Sequence, residues 1–218
     1  MSITGLSVAQ AQDLSVRETA ALCLRAAKEA AHETGVPLQL LQALTLTETG
    51  RRGEAGLQPW PWTLNLAGEG QWFATQSDAL TALSEAIAAG QTNVDIGCFQ
   101  LNYHWHSAAF SSLEDMLDPQ RNAHYAAKFV ARHAVEQGDW VAAAGAFHSA
   151  TPERAEIYLA RFEPIYAALG SAGASAGLRD ETRRTRNNRF PLLLAGSAGS
   201  PGSVVPLRPG GQALIGGP

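Results

Sequence analysis

One carboxylate in this 218-residue chain stands where its surroundings would change its chemistry. Leu40, Leu41, Leu44 and Glu48 follow helical spacing between Pro37, which suits a first turn, and Gly50, which suits a stop. Glu48 therefore shares a face with Leu41 and Leu44. Burial disfavours the charged form of a carboxyl group, raises its pKa and keeps a proton ready for a leaving group, as a general acid in glycosidic cleavage requires. The competing assignment is a carboxylate that reaches solvent at the helix end or pairs with Arg51 or Arg52. Trp60, Trp62, Trp72, Phe73, Tyr103 and Trp105 offer flat faces for sugar rings, although aromatics at such spacing also suit a core. Gln100 and Asn102 offer donors and acceptors for hydroxyl and acetamido groups.

Other chemistries find less support. His104 and His106, with His124 or His148, are a weak metal set without a His-Glu-x-x-His or cysteine-pair pattern, so no metal and no cofactor are expected. A Cys98 nucleophile served by His148 lacks a cationic sequence neighbour to lower the thiol pKa. Cys23 and Cys98 are too few for a disulfide scaffold. Two readings stand for them: one disulfide in an exported chain, or a pair of buried thiols. Ser7-Val8-Ala9-Gln10-Ala11 is similar to the small-residue end of a secretory signal, with Gln12 as a mature start. The charged and apolar regions that normally precede such an end are absent before Arg17, so residues 1–14 are either a signal remnant or an accidental likeness.

The elements that must position these groups are mostly helices. Ser15-Val16-Arg17-Glu18 forms a capping box ahead of Ala20, Leu22, Cys23, Leu24, Ala27 and Ala31, with Gly35 as the stop. Thr63-Leu64-Asn65 and Gln71-Trp72-Phe73 flank Gly68-Glu69-Gly70 as a hairpin. Ser77 caps a helix to Gly90, and Val94-Asp95-Ile96 is short and extended. Asp118-Pro119 starts a long helix that ends at Gly138, Asp139 caps the next, and Thr151-Pro152 opens the last. The expectation is a mostly helical α+β domain over 15–169.

Charge divides the chain at the end of that domain. Residues 170–218 carry six arginines against Asp180 and Glu181, a balance of +4, whereas the body before them is −8. With 10 of the 21 Gly and 5 of the 11 Pro, this tail has too little apolar surface to offset its chain entropy and reads as a disordered basic extension. No run reaches the roughly 18 apolar residues of a membrane span. The acidic body has no Lys/Arg-rich face for nucleic acid.

Several stretches together resemble the soluble lytic transglycosylase domain of bacterial peptidoglycan-cleaving enzymes, a goose-type lysozyme-like fold. Leu40 to Gly50, with Thr47-Glu48-Thr49-Gly50 at its end, is similar to that family's helix ending in Glu-Ser-Gly. Pro59-Trp60-Pro61-Trp62, then Asp95-Ile96-Gly97-Cys98-Phe99-Gln100-Leu101-Asn102 and His106, resembles the branch with a Gly-Cys-Met-Gln-Val-Asn segment. Asp118-Pro119, Asn122, Tyr125-Ala126-Ala127, Ala146-Phe147-His148-Ser149 and Tyr158 follow in the family's order, so the match covers about Cys23 to Leu169. The resemblance implies Glu48 as catalytic acid and Thr49, Gln100, Asn102, Phe147, His148, Tyr158 and Trp62 as substrate-binding residues. Thr49 replaces the usual Ser and adds a methyl group. Phe147 replaces the usual Tyr and removes a phenolic hydroxyl, which Tyr158 or Tyr103 would have to supply.

A lytic transglycosylase needs one such acid, because the 6-hydroxyl of N-acetylmuramic acid is the nucleophile and a 1,6-anhydro sugar the product. An inverting hydrolase needs a second carboxylate, and no second acid falls in a matching motif. The resemblance implies a monomeric periplasmic enzyme that opens the wall for a flagellum or secretion apparatus, with the tail docking on a scaffold protein of that assembly. The alternatives are a muramidase on the same fold and, given Phe147 and the tail, a non-catalytic peptidoglycan-binding or assembly protein.

Overall fold

The computed structural model describes the backbone of residues 8–53 and 56–184 and the side-chain surroundings of 16–53 and 56–171. Helix α1 spans Val8–Thr34 and ends at Gly35, whose φ of 75° is the left-handed conformation of a helix stop. It starts ahead of the capping box expected at Ser15, because Val8 to Leu14 holds good helix formers and neither Gly nor Pro. The stretch that resembles a signal end is therefore helical from Val8 onward. Helix α2, Leu38–Thr49, follows Pro37 and carries Glu48 in its last turn.

Strands β1 (Arg51–Gly53) and β2 (Gly56–Gln58) pair antiparallel beside the end of α2. The expected hairpin is β3 (Thr63–Leu66) with β4 (Glu69–Trp72). Its two-residue turn is Ala67-Gly68, both at positive φ, one position earlier than the glycine cluster suggests. Helix α3 spans Gln76–Ala88 and is capped by Thr75 rather than Ser77, the Thr75 hydroxyl accepting from the Asp78 amide. Strands β5 (Val94–Ile96) and β6 (Leu101–Asn102) complete a four-stranded antiparallel sheet in the order β4-β3-β5-β6.

Short helices α4 (Tyr103–His106) and α5 (Leu113–Leu117) lead to α6, Pro119–Gln137. Asp118 caps α6 through its carboxylate, and Gly138 ends it at φ 72°. Asp139 caps α7, Trp140–His148. Helix α8 spans Pro152–Arg184. It passes the point where the tail was expected to become irregular, since Ala-rich sequence tolerates the glycines at 170, 173 and 177 within a helix. Residues 185–218, with Arg186, Arg189 and Phe190 to Leu194, lie outside the described residues.

The fold is thus α+β and mostly α. The chain divides into two units, Met1–Gly173, which contains the site, and Ala174–Pro218. Within it α1 packs on α6 and α2, and α6 on α7. Leu40, Leu41, Leu44, Leu64, Ile96, Phe99, Tyr158 and Phe162 are buried between them. Cys23 and Cys98 form a disulfide with Cα atoms 5.5 Å apart, which decides between the two readings of the cysteines and ties α1 to the turn after β5. Among the described residues no helix is long and apolar enough to cross a membrane.

Candidate active site

Glu48 lies in the wall of a cleft of about 770 Å³. Its side chain is only 11% exposed, and Oε1 is buried. Helical spacing explains the placement: the Leu41 and Leu44 face is the one that α2 turns into the core, so the last residue on it must lose water. Burial pushes the Glu48 carboxyl up to about 8, the nearby Asp95 charge adding to the effect while the Tyr158 hydroxyl and the Arg161 charge oppose it. Tyr158 is itself buried, with its phenol pushed well above its ordinary value by burial and by Glu48. The phenol lies near enough to influence the acid, yet neither Glu48 Oε1 nor Tyr158 Oη reaches full hydrogen-bond geometry with any group among the described residues.

His148 completes this side of the cleft. Its Nδ1 is 3.9 Å from Glu48 Oε1, and its ring stacks on Tyr158 with centroids 4.3 Å apart. Burial, aided by Arg161 and Arg154, lowers the His148 pKa. With the acid raised and the base lowered, both groups are uncharged near neutral pH, and their contact is not an ion pair. Glu48 accordingly keeps its proton at a pH where an ordinary carboxyl group has lost it.

The sheet and the turn after β5 supply further lining of the cleft. Gln100 has φ 46°, a conformation that a residue with a side chain rarely adopts, and its Nε2 donates to the carbonyls of Gly97 (2.9 Å) and Thr63 (3.2 Å). This holds the side chain at the cleft and leaves Oε1 as the group it offers. Asn102 Nδ2 donates to Asp95 Oδ1 at 2.8 Å, and Asn65 Nδ2 donates to Asp95 Oδ2 at 3.1 Å. Asp95 is the functional candidate that sequence reasoning missed. Its burial raises its pKa while the two amides oppose that shift. Its signal was present as the polar centre of Val94-Asp95-Ile96, but only the pairing of β5 with β3 and β6 brings it to the cleft wall.

The resemblance-based residues therefore separate into two groups. Glu48, Gln100, Asn102, Phe147 and His148 line the cleft together. Tyr158 lies behind His148. Thr49 and Trp62 do not line the cleft, in contrast to the substrate contacts expected of them. Thr49 is buried, donates from Oγ1 to the Thr45 carbonyl (3.0 Å) and accepts from the Trp60 amide (3.1 Å), so its hydroxyl ties the last turn of α2 to the Trp60 segment. Trp62 is packed in the core, its carbonyl accepting from the Phe73 amide. Of the aromatic cluster, Trp105 lines the cleft and is 75% exposed. Phe147 packs on Phe129, with centroids 5.5 Å apart.

Asn122, buried on α6, positions the turn that carries Gln100. Its Oδ1 accepts from the Phe99 amide (2.9 Å), and its Nδ2 donates to the Ile96 and Met116 carbonyls (3.0 Å each). A Cβ on Gly97, which sits at φ 76°, would lie 3.0 Å from Asn122 Nδ2, so the turn needs glycine on two counts. Asn122→Ala is expected to cost about 3 kcal/mol in urea denaturation, because three buried backbone groups lose their partner. A loss below about 1 kcal/mol would mean that those groups find other partners.

Among the described residues no group of three or more His, Cys, Asp or Glu gathers to hold a metal ion. His104 and His106 lie in one helical turn, and His106 Nδ1 is instead 3.0 Å from the Tyr125 hydroxyl.

The chain matches no protein-family model, no curated protein and no solved structure.

Proposed function

We propose that this protein is a peptidoglycan lytic transglycosylase with a lysozyme-like fold, exported to the periplasm. The observation that carries the proposal is the buried Glu48 carboxyl, protonated at neutral pH in the wall of a polar cleft. In this scheme Glu48 donates its proton to the oxygen leaving C1 of N-acetylmuramic acid. The resulting carboxylate takes the proton of that sugar's 6-hydroxyl as O6 bonds to C1, which restores the acid and closes the 1,6-anhydro ring. Uncharged His148 beside Glu48 does not hold the acid as an anion. Gln100 Oε1 and the exposed ring of Trp105 supply a polar and a stacking contact for the sugars. The disulfide supports export, since such bonds persist in oxidising compartments.

Asp95 favours a second reading. With two carboxyl groups in one cleft, the absence of a second acid no longer argues against hydrolysis, and a muramidase on the same scaffold would use Asp95 to activate water or stabilise positive charge at C1. Both Asp95 oxygens already accept amide hydrogen bonds, which suits a fixed negative charge better than a base that must turn toward water. Mass spectrometry of fragments from purified sacculi separates the two. Anhydro-muramic ends, one water lighter than muramidase products, are the expected result, and hydrated ends would replace the transglycosylase with a hydrolase. Sacculi that bind the protein but release nothing soluble would leave the non-catalytic binding protein.

A further inference from the structure

Two guanidinium groups without an ion pair among the described residues line the cleft of a chain whose body is net acidic. Arg154 and Arg161 both line the cleft from α8, and both are exposed. They are two helical turns apart, about 10 Å along the axis, and with Tyr158 between them they mark one face of α8. Tyr158 on that face is buried against His148, and Arg161 lies over the Tyr158 ring at 5.7 Å. Glu153, Glu156 and Glu163 fall one or two residues away along the helix, where its spacing turns them from this face. Neither arginine forms an ion pair among the described residues, whereas Arg121 pairs with Asp115 elsewhere.

Both charges help to keep His148 neutral, but a neutral sugar chain offers neither of them a counter-charge. Asn65, Asp95, Gln100 and Asn102 of the same cleft already supply acceptors and amides for hydroxyl and acetamido groups. Guanidiniums recognise carboxylates, and two of them, seven residues apart on one helix face, suit a ligand that carries more than one carboxylate. In peptidoglycan that pattern belongs to the stem peptide on the lactyl group of muramic acid. A strand stripped of peptide keeps only the single lactyl carboxylate.

We infer that Arg154 and Arg161 form a subsite for stem-peptide carboxylates, so that the cleft prefers peptide-bearing glycan to bare glycan. The inference rests on the proposal that the cleft binds peptidoglycan. It is tested by binding, in the Glu48→Gln protein, so that turnover does not intrude. The probes are a disaccharide tetrapeptide of N-acetylglucosamine and N-acetylmuramic acid, the same disaccharide with a bare lactyl group, and the dimer of N-acetylglucosamine. Calorimetric titration should show the peptide-bearing probe binding about five- to tenfold more tightly than the bare disaccharide, the range expected of solvent-exposed charge pairs. Raising the salt to about 0.5 M should shrink the difference. Adding Arg154→Gln and Arg161→Gln should abolish it, and Lys at both positions should restore part of it. A ratio unchanged by the double Gln replacement overturns the inference. So does a bare disaccharide that binds as tightly as the peptide-bearing one, which would assign the arginines to the lactyl carboxylate if both exceed the N-acetylglucosamine dimer. Each of these results leaves the glycan cleft standing, whereas failure to bind any probe removes the inference and the proposed function together.

Discussion

Glu48→Gln should remove nearly all cleavage of sacculi and, at alkaline pH, make the protein harder to unfold. The loss of turnover follows from the missing proton donor and is expected to be roughly a hundred- to ten-thousand-fold. The stability gain follows from linkage. The folded protein holds the Glu48 proton up to about pH 8, whereas the unfolded chain releases it near the ordinary carboxyl value of 4.5. Between those values the folded state binds more protons than the unfolded one, so stability is greatest below about 4.5 and falls as pH rises toward about 8. At pH 7 this costs the fold up to about 3 kcal/mol, and Gln, which does not ionise, avoids the cost. Urea denaturation of both proteins at pH 5 and pH 8 reads the effect, with the advantage of Gln larger at pH 8. An advantage independent of pH would show that Glu48 titrates normally, and undiminished cleavage would discard it as the acid. For the parent protein, kcat/KM for the proposed cleavage should fall as pH rises through about 8, where the acid form disappears.

Replacing Cys23 and Cys98 together by Ala should lower stability by about 4 kcal/mol, as expected for opening a cross-link between residues 75 positions apart. Denaturation midpoints of the oxidised parent, the reduced parent and the double variant measure this, with the reduced parent expected close to the variant. The effect should extend to the cleft. Cys98 is two residues before Gln100, and its carbonyl accepts from the buried Thr45 hydroxyl of α2 at 2.8 Å, so the same turn is tied to α1 by sulfur and to α2 by a hydrogen bond. A variant less than about 1 kcal/mol weaker would mean that packing, rather than the cross-link, holds the turn.

Local spacing made the helical framework legible. Pro37 and Gly50 bracket α2 as expected, Asp118 with Gly138 and Asp139 mark the ends of α6 and α7, and Pro152 opens α8. Each signal acts within a turn of where it stands, through a fixed φ, a capping oxygen or a left-handed glycine. The misplaced boundaries have the same origin. A capping box at Ser15 and glycines from 170 onward are permissive signals, and neighbouring Ala and Gln were enough to carry the helices past them. Trp62 shows a different gap. Its flat ring suits sugar and core alike, and the turn of its segment into the core, with its carbonyl held by Phe73, made the choice.

By itself the sequence determined that the chain forms a mostly helical α+β body and that Glu48 sits on the apolar face of its helix, because both follow from periodicities of a few residues. The tertiary structure alone decided how far the Glu48 carboxyl is shifted, that Asp95 and not Trp62 reaches the cleft, that Cys23 meets Cys98, and that Arg154 and Arg161 come to the same cleft. Desolvation and charge depend on which atoms arrive from distant parts of the chain. For Glu48 these are Tyr158 and Arg161 of α8, His148 of α7 and Asp95 of β5, and no spacing within α2 records them.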